Sequence, residues 1–168
     1  MTRALGRWVV VAALIAAAML SGHASAQERP RPTPLTPVAL ARALYGGHRD
    51  AFAGKKPSGH RLAVAWAQTA LETGSGAKTR GFDVGNVGGR ARAFRSAREG
   101  ATAYWRAVQR CEAVLPFFDA GDAAGAAHQL ARCGYYRADP AVYASGMASL
   151  RAKFTRTVWP RLKGLFGH

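Results

Sequence analysis

The sequence predicts a single, mainly helical domain, and three observations support this fold class. Apolar residues recur at spacings of three and four in several segments, as on the buried face of a helix, most clearly over 62–73. Typical helix start signals precede these segments, with Ser, Thr or Asp at the N-cap and Pro or Glu shortly after it. The sequence has no internal repeats and no sustained two-residue alternation. We therefore expect helices joined by loops, with at most a vestigial β-hairpin.

The expected helices follow these signals along the chain. The N-terminal signals are Thr36-Pro37, Ser58, the capping box from Ser96 to Glu99, Asp122, and Asp139-Pro140. The first helix should be short, over 38–45, because Gly46-Gly47 follow as a stop signal. A long polar loop over 74–94 separates the second and third helices, with a brief extended pair over 84–87 and 91–94. A loop of this length inside a compact domain is usually functional.

The N-terminal segment has the pattern of an export signal. Arg3 and Arg7 form a basic start, an apolar run follows over 8–20, and Ala24-Ser25-Ala26 is a small-residue cleavage site. The run is shorter than the roughly 20 residues of a membrane-spanning helix, so an uncleaved anchor is the weaker alternative. We predict a signal peptide over 1–26, a Pro-rich linker over 27–37 and the domain over 38–168. The mature protein would then be secreted or periplasmic in a bacterium, without stable membrane insertion.

The charge balance favours an anionic partner. The chain has 24 Lys and Arg against 9 Asp and Glu, a formal net charge of +15. Since an exported protein does not meet nucleic acid, we expect the anionic cell wall or a membrane surface instead. A solvated basic surface without a single partner is the alternative.

The two cysteines, Cys111 and Cys133, predict one structural disulfide in an oxidising compartment. Closing this loop would stabilise the fold by about 3 kcal/mol. A catalytic thiol paired with His128 is a weaker alternative. A metal site would need more ligands than the chain offers near these thiols, so we expect no metal and no cofactor.

Glu72 is the residue that the helical pattern makes most unusual. It lies beside the apolar face of its helix and in the last turn, just before Gly74. That end is the negative pole of the helix dipole, where Lys, Arg or His is expected. A half-buried carboxyl group there is suited to act as a general acid. We therefore predict that Glu72 is catalytic and that the long loop forms a wall of its cleft.

Three blocks of sequence carry a family resemblance. Residues 67–76 read Ala-Gln-Thr-Ala-Leu-Glu-Thr-Gly-Ser-Gly, residues 83–88 read Asp-Val-Gly-Asn-Val-Gly, and residues 134–143 read Gly-Tyr-Tyr-Arg-Ala-Asp-Pro-Ala-Val-Tyr. Together they resemble the endo-β-N-acetylglucosaminidase domain of glycoside hydrolase family 73, in the lysozyme-like superfamily, which occurs in wall autolysins and flagellar muramidases.

The resemblance implies a lysozyme-like fold and specific roles for residues of these blocks. Glu72 would be the catalytic acid, and Asn86 would lie on the loop that lines the cleft. A tyrosine, Tyr136 or Tyr135, would lie near the carboxylate, and counting back from Asp139 favours Tyr136. Gln68, one helical turn before Glu72, would orient the carboxylate or face the cleft.

Each of these positions also has a structural alternative. Tyr135 and Tyr136 are about as consistent with the core as with a site, and Asn86 with a turn residue that tolerates a left-handed backbone. Tyr143 is expected on the apolar face of the last helix. These alternatives stay open at the level of sequence.

The chain departs from the family at the second carboxylate. Many relatives carry it on a β-hairpin, whereas 88–95 contains three arginines and no acid. Asp83 is the only acid near the loop and is more simply explained as a turn former, so whether it takes part stays open. The sequence thus favours a mechanism in which Glu72 protonates the leaving glycosidic oxygen and the substrate supplies the nucleophile.

The function expected from the resemblance is cleavage of peptidoglycan glycan strands, either by glucosaminidase hydrolysis or by lytic transglycosylation. Such a small enzyme suits local cleavage during assembly of an envelope machine whose components the sequence does not identify. A non-catalytic glycan-binding scaffold that lost the second carboxylate is a different class of function. A membrane-active protein that works through the basic and aromatic tail over 154–168 is a third.

Overall fold

The structure is a computed structural model that describes residues 30–87 and 93–162. Within these ranges the chain forms a single, mainly helical domain, as predicted. Its α-helices are α1 (Pro37–Ala51), α2 (Gly59–Thr73), α3 (Ala97–Gln109), α4 (Leu115–Ala120), α5 (Ala123–Arg132) and α6 (Pro140–Lys153). The described residues contain no β-sheet, only an isolated antiparallel bridge between Pro32 and Arg80. No helix in this part of the chain is both long and apolar enough to cross a bilayer.

The predicted helix starts are confirmed by side-chain caps. Ser58 accepts a hydrogen bond from the backbone N–H of Arg61 at the start of α2. Ser96 caps α3 in the same way, while the Glu99 carboxylate accepts from the backbone N–H of Arg95. Each cap satisfies a backbone donor that the first helical turn leaves unpaired. Glu99 is therefore a capping residue, as the sequence indicated.

Helix α1 is longer than the sequence predicted, because Gly46-Gly47 lie inside it and do not end it. A Cβ atom on Gly47 would lie 2.6 Å from the backbone of Ala101 and Thr102 in α3. Glycine is required here so that α1 and α3 can pack with their backbones close together. The prediction was wrong because a tertiary contact, not a helix stop, determines this glycine.

Helix α2 is the central element of the fold. Its residues from Leu62 to Ala70 are almost completely buried, and it packs on α1, α4, α5 and α6. The fully buried Trp66 donates its indole N–H to the carbonyl of Pro37 at 3.0 Å. A helix that is apolar on all sides belongs inside a domain. Glu72 therefore extends from the end of a helix that is buried over 62–70.

The described part of the predicted linker packs onto the domain. The segment 30–36 is extended and pairs with the long loop through hydrogen bonds from Thr33 N–H to Thr79 O at 2.9 Å and from Leu35 N–H to Gly76 O at 3.0 Å. The stretch 84–87 is made of turns and not of the expected strand. Part of its expected partner, residues 91 and 92, lies outside the described residues, as does the predicted signal peptide over 1–26.

The predicted disulfide is confirmed. Cys111 and Cys133 are bonded, with their Cα atoms 6.0 Å apart. The bond joins the turn after α3 to the C-terminal end of α5. After α6 the chain continues as a π-helical turn (Phe154–Val158) and a 3₁₀ turn (Trp159–Arg161), and the end of the basic tail, 163–168, lies outside the described residues.

His48 lies in a buried contact among three helices. It is 1% exposed and stacks on Phe52 at 4.2 Å between ring centroids. Its Nδ1 is 2.9 Å from the carbonyl of Lys55, and its Nε2 is 3.2 Å from the guanidinium of Arg61. Arg61 also binds both carboxylate oxygens of Asp119, each at 2.6 Å. Because Nε2 faces a guanidinium, which can only donate, the imidazole is neutral in this arrangement.

Gly47→Ala should lower the free energy of unfolding by about 1–3 kcal/mol, because the added methyl group would press on the α3 backbone. Gly46→Ala is the matched control. Its Cβ would meet only the flexible Arg98 side chain, at 3.3 Å, and alanine is favoured over glycine within a helix by about 0.5–1 kcal/mol. Urea unfolding measures both variants. Equal effects would contradict the close α1–α3 packing.

The stability of the fold should depend on the protonation of His48. Burial, aided by the charge of Arg61 and partly opposed by the hydrogen bond to the carbonyl of Lys55, lowers the pKa of His48 from 6.5 to about 4. Between these values the unfolded chain binds a proton that the folded chain does not. The free energy of unfolding should therefore decrease as the pH falls through this window, by on the order of 3 kcal/mol, and should be unaffected by His48 above it.

Urea unfolding between pH 4 and pH 8 tests the role of His48. His48→Gln should lose this dependence, whereas replacement of the exposed His128 by Gln should retain it. A slope that is the same in His48→Gln as in the unmodified protein would show that other groups cause it.

Candidate functional site

Glu72 is held by a tyrosine from the neighbouring helix. Its side chain is half-buried at the end of α2, and its Oε1 accepts a hydrogen bond from the hydroxyl of Tyr143 at 2.6 Å. Gly74 caps the helix in the left-handed conformation, with φ of 58°, directly after Thr73, the last helical residue. The position of the carboxylate is therefore set by the end of α2, and one of its oxygens accepts a hydrogen bond from a phenol.

The start of α6 determines where Tyr143 lies. The carboxylate of Asp139 accepts hydrogen bonds from the N–H groups of Ala141 and Val142, and Pro140 occupies the first helical position. Tyr143 thus falls in the first turn of α6. Three residues later Gly146 faces Leu71 of α2, and a Cβ atom on it would lie 3.1 Å from the Leu71 side chain. This close approach brings Tyr143 within reach of Glu72.

Tyr136 supports Tyr143 and makes no hydrogen bond to Glu72. The two rings stack with centroids 3.7 Å apart and planes 13° from parallel. The hydroxyl of Tyr136 donates instead to the carbonyl of Ala127 at 2.7 Å. The contact with the carboxylate expected of Tyr136 is therefore made by Tyr143. Tyr136 reaches the carboxylate only through Tyr143, because the chain turns between α5 and α6 and directs the Tyr136 hydroxyl towards α5.

Tyr135 contacts the long loop, and Asn86 lies on it. The Tyr135 hydroxyl donates to the carbonyl of Gly85 at 3.2 Å. A Cβ atom on Gly85 would lie 2.4 Å from the Tyr104 ring, so only glycine lets the loop pack this closely. Asn86 is exposed and has a left-handed backbone with φ of 52°. It is thus the left-handed turn residue considered from the sequence, with its side chain still open to solvent.

Gln68 is buried and does not face a cleft. It is 0% exposed, and its Oε1 accepts a hydrogen bond from the hydroxyl of Tyr104 at 2.7 Å. Its Nε2 has no hydrogen-bond partner among the described residues. The proposed contact between Gln68 and a substrate is therefore not supported. Because α2 is enclosed on all sides at this turn, Gln68 packs beneath the site and fixes Tyr104, which in turn supports Gly85.

Most other carboxylates of the described chain form ion pairs or accept hydrogen bonds from backbone N–H groups. Asp50 and Asp119 form ion pairs with Arg98 and Arg61. Asp122 caps α5 by accepting from the N–H of Gly125. Asp83 is 8% exposed, and its Oδ1 accepts from the N–H of Val87 at 2.9 Å, as expected of a turn former. Glu72 differs from these acids, because its partner is a phenol and it is only half-buried.

Burial keeps the tyrosines around Glu72 in the neutral, donating form. It raises the pKa of Tyr143, and the hydrogen bond to Glu72 raises that pKa further. Burial also raises the pKa of Tyr104 and of Tyr135, and the charge of Glu72 acts on both in the same direction. All three phenols therefore stay uncharged, and only Tyr143 donates its hydrogen bond to Glu72. Tyr104 donates to Gln68 and Tyr135 to the carbonyl of Gly85. Tyr143 can orient Glu72 but cannot replace it as an acid near neutral pH.

Sequence reasoning missed Tyr143 because it fits the apolar face of α6. One signal could have identified it. A buried tyrosine hydroxyl needs a hydrogen-bond partner, and the sequence offers no such group on the same face of that helix. No group of three or more His, Cys, Asp or Glu side chains among the described residues is placed to hold a metal ion.

Comparison with known proteins does not assign the chain to a family. No protein-family model matches the chain, and neither a curated protein nor a solved structure matches it.

Proposed function

We propose that this protein is an exported enzyme that cleaves the glycan strands of peptidoglycan, with Glu72 as the general acid. The hydrogen bond between Tyr143 and Glu72 is the observation that carries the proposal. It holds a half-buried carboxyl group at a helix end, with one oxygen bound and the other available for proton transfer. The resemblance of three sequence blocks to glycoside hydrolase family 73 supports the choice of substrate.

Proton transfer from Glu72 would begin the reaction. The carboxyl group donates its proton to the glycosidic oxygen as the bond from that oxygen to C1 of the sugar breaks. Positive charge then develops on C1 and the ring oxygen, and the new carboxylate lies close to it. Tyr143 stabilises the carboxylate by donating to Oε1. A charge-assisted hydrogen bond of this kind contributes about 1.5–3 kcal/mol.

The nucleophile would come from the substrate, since Asp83 is committed to a turn. Attack of the N-acetyl oxygen on C1 forms a cyclic intermediate, which water opens with overall hydrolysis. Attack of the sugar's own 6-hydroxyl instead forms a 1,6-anhydro ring, and the hydroxyl proton returns to Glu72. The second route is lytic transglycosylation. The two routes give different chain ends, which distinguish them directly.

Export and a wall-associated location fit the chemistry of the chain. A disulfide between Cys111 and Cys133 persists in oxidising compartments outside the cytoplasm. Without Arg3 and Arg7 of the predicted signal peptide, the formal net charge is 15 − 2 = +13, which would attract the mature protein to the anionic wall. The N-terminal pattern of basic, apolar and small residues would act as the export signal, giving a secreted or periplasmic enzyme.

Glu72→Gln should reduce cleavage of purified peptidoglycan by about 10²–10⁴-fold, because the amide cannot donate the proton. Mass spectrometry of the fragments measures the rate and identifies the ends. Reducing N-acetylglucosamine ends indicate glucosaminidase hydrolysis, and anhydro-muramyl ends indicate transglycosylation. Binding without cleavage by the unmodified protein would instead favour the scaffold function. Full activity of Glu72→Gln would remove Glu72 from the mechanism.

Tyr143→Phe should reduce the cleavage rate by about 10–100-fold, the equivalent of one hydrogen bond to a charged group. The ring that stacks on Tyr136 remains, so the fold should be retained. Tyr136→Phe is the matched control, because it removes a hydroxyl that donates to the backbone of α5 and not to Glu72. Its rate should stay within a few-fold of the unmodified protein. Equal losses in both variants would argue for a general effect on stability.

A further inference from the structure

A cavity opens beside Tyr135. Its volume is about 280 Å³, and it lies between the end of the long loop, the end of α3 and the turn after α5. Next to the disulfide, the cavity is lined by Asn86, Val87, Ala107, Arg110 and Tyr135. Asn86 lies on the long loop that follows α2, and Tyr135 holds that loop through its hydrogen bond to the carbonyl of Gly85.

Tyr135 links the cavity to the surroundings of Glu72. It lines the cavity together with Arg110, and its hydroxyl donates to Gly85 on the loop. Besides burial, the negative charges of Glu72 and Asp83 raise the pKa of this phenol, and the positive charge of Arg110 opposes them. The phenol is therefore within electrostatic range of both the general acid and the guanidinium. A ligand that extends from the cavity past Tyr135 would approach Glu72.

Arg110 supplies the cavity with a positive charge that no acid balances. The cavity has no acidic residue among its described lining, and Arg110 forms no ion pair within 30–87 and 93–162. Its backbone N–H caps the end of α3 by bonding to the carbonyls of Ala107 and Val108. The next residue, Cys111, is tied to Cys133. The base of Arg110 is thus fixed relative to Tyr135 before any ligand arrives, which lowers the cost of binding.

The lining of the cavity indicates the class of ligand. A guanidinium binds a carboxylate through two parallel hydrogen bonds. Asn86 adds an amide that can donate or accept, and Val87 and Ala107 add methyl groups. This combination suits a carboxylate on a small, branched apolar body. In peptidoglycan only every second sugar carries such a group, as a lactyl ether that is either free or extended by a stem peptide.

We propose that the Arg110 cavity binds a carboxylate carried by the lactyl-bearing sugar and so sets the register of the glycan strand at Glu72. This inference rests on the proposed function and specifies its substrate. The two glycosidic bonds of the strand alternate, and they differ in which sugar lies on each side. Holding the acidic sugar beyond Tyr135 brings one of these two bonds to Glu72 and keeps the other away.

Binding to a protein that cannot cleave tests this site independently of turnover. Glu72→Gln protein would be titrated by calorimetry with glycan strands that retain their stem peptides and with strands whose stems an amidase has removed. A third sample has the free lactyl carboxyl groups converted to amides. Adding Arg110→Gln should weaken binding to at least one carboxylate-bearing strand about tenfold or more. The amidated strands should bind as weakly to the Glu72→Gln protein as carboxylate-bearing strands do to the double variant.

Two controls separate this site from general charge attraction. Arg106→Gln removes an equal charge one turn earlier on α3, outside the cavity, and should change the affinity less than twofold. Arg110→Lys keeps the charge without the paired hydrogen bonds and should restore only part of the affinity. Loss confined to stripped strands identifies the lactyl carboxylate, and loss confined to stem-bearing strands identifies the peptide. Equal effects of Arg106→Gln and Arg110→Gln would overturn the proposal.

The product ends provide a test in the active protein. Arg110→Gln should release a mixture of ends in place of one type, because the strand can then shift by one sugar. If Arg110→Gln cuts at the same bonds and the same rate as the unmodified protein, the register proposal fails and the cleavage function stands. If no strand is cut but binding still depends on Arg110, the cleavage function fails and the carboxylate site stands.

Discussion

The structure depends on the burial of α2 over residues 62–70. A helix enclosed over this length has no freedom to rotate or slide, since its neighbours are packed at crystal-like density. Its last turn therefore delivers Glu72 to one position at the edge of the core. The carboxylate gains its orientation from Tyr143, whose own position follows from the cap at the start of α6. Two helix ends, one terminated by Gly74 and one begun by Asp139, thus determine a single hydrogen bond of 2.6 Å.

Two tyrosine side chains hold the long loop against the buried helix. Tyr104, fixed by Gln68 deep in the core, lies against Gly85, and Tyr135 holds the same glycine from outside through its carbonyl. A polar loop of this length would otherwise have little reason to adopt one conformation. The N-terminal segment adds to the restraint by pairing with residues near Gly76. The described part of the loop therefore has a defined conformation, and its residues Asn86 and Val87 form one side of the Arg110 cavity.

The sequence was most reliable where a local signal coincided with a local cause. The caps at Ser58 and Asp139 satisfy backbone groups within one helical turn, so the residue type at the cap is enough to predict the helix start. The disulfide was likewise predicted correctly from the two cysteines. Prediction failed at Gly47, where the distant α3 backbone determines the residue, and at Gln68, whose polar side chain concealed its place in the core. The described part of the Pro-rich segment likewise lies on the domain because its backbone donors find partners in the loop.

The sequence by itself determined the helical class, the helix starts, the disulfide and the unusual position of Glu72, because each follows from spacing or from neighbours along the chain. Only the tertiary structure decided which tyrosine holds the carboxylate. Tyr135, Tyr136 and Tyr143 are similar in sequence terms, but the turn between α5 and α6 directs their hydroxyl groups to three different acceptors. The same packing placed Arg110 beside Tyr135. Such contacts join residues far apart in sequence, and no local pattern encodes the angle at which two helices meet.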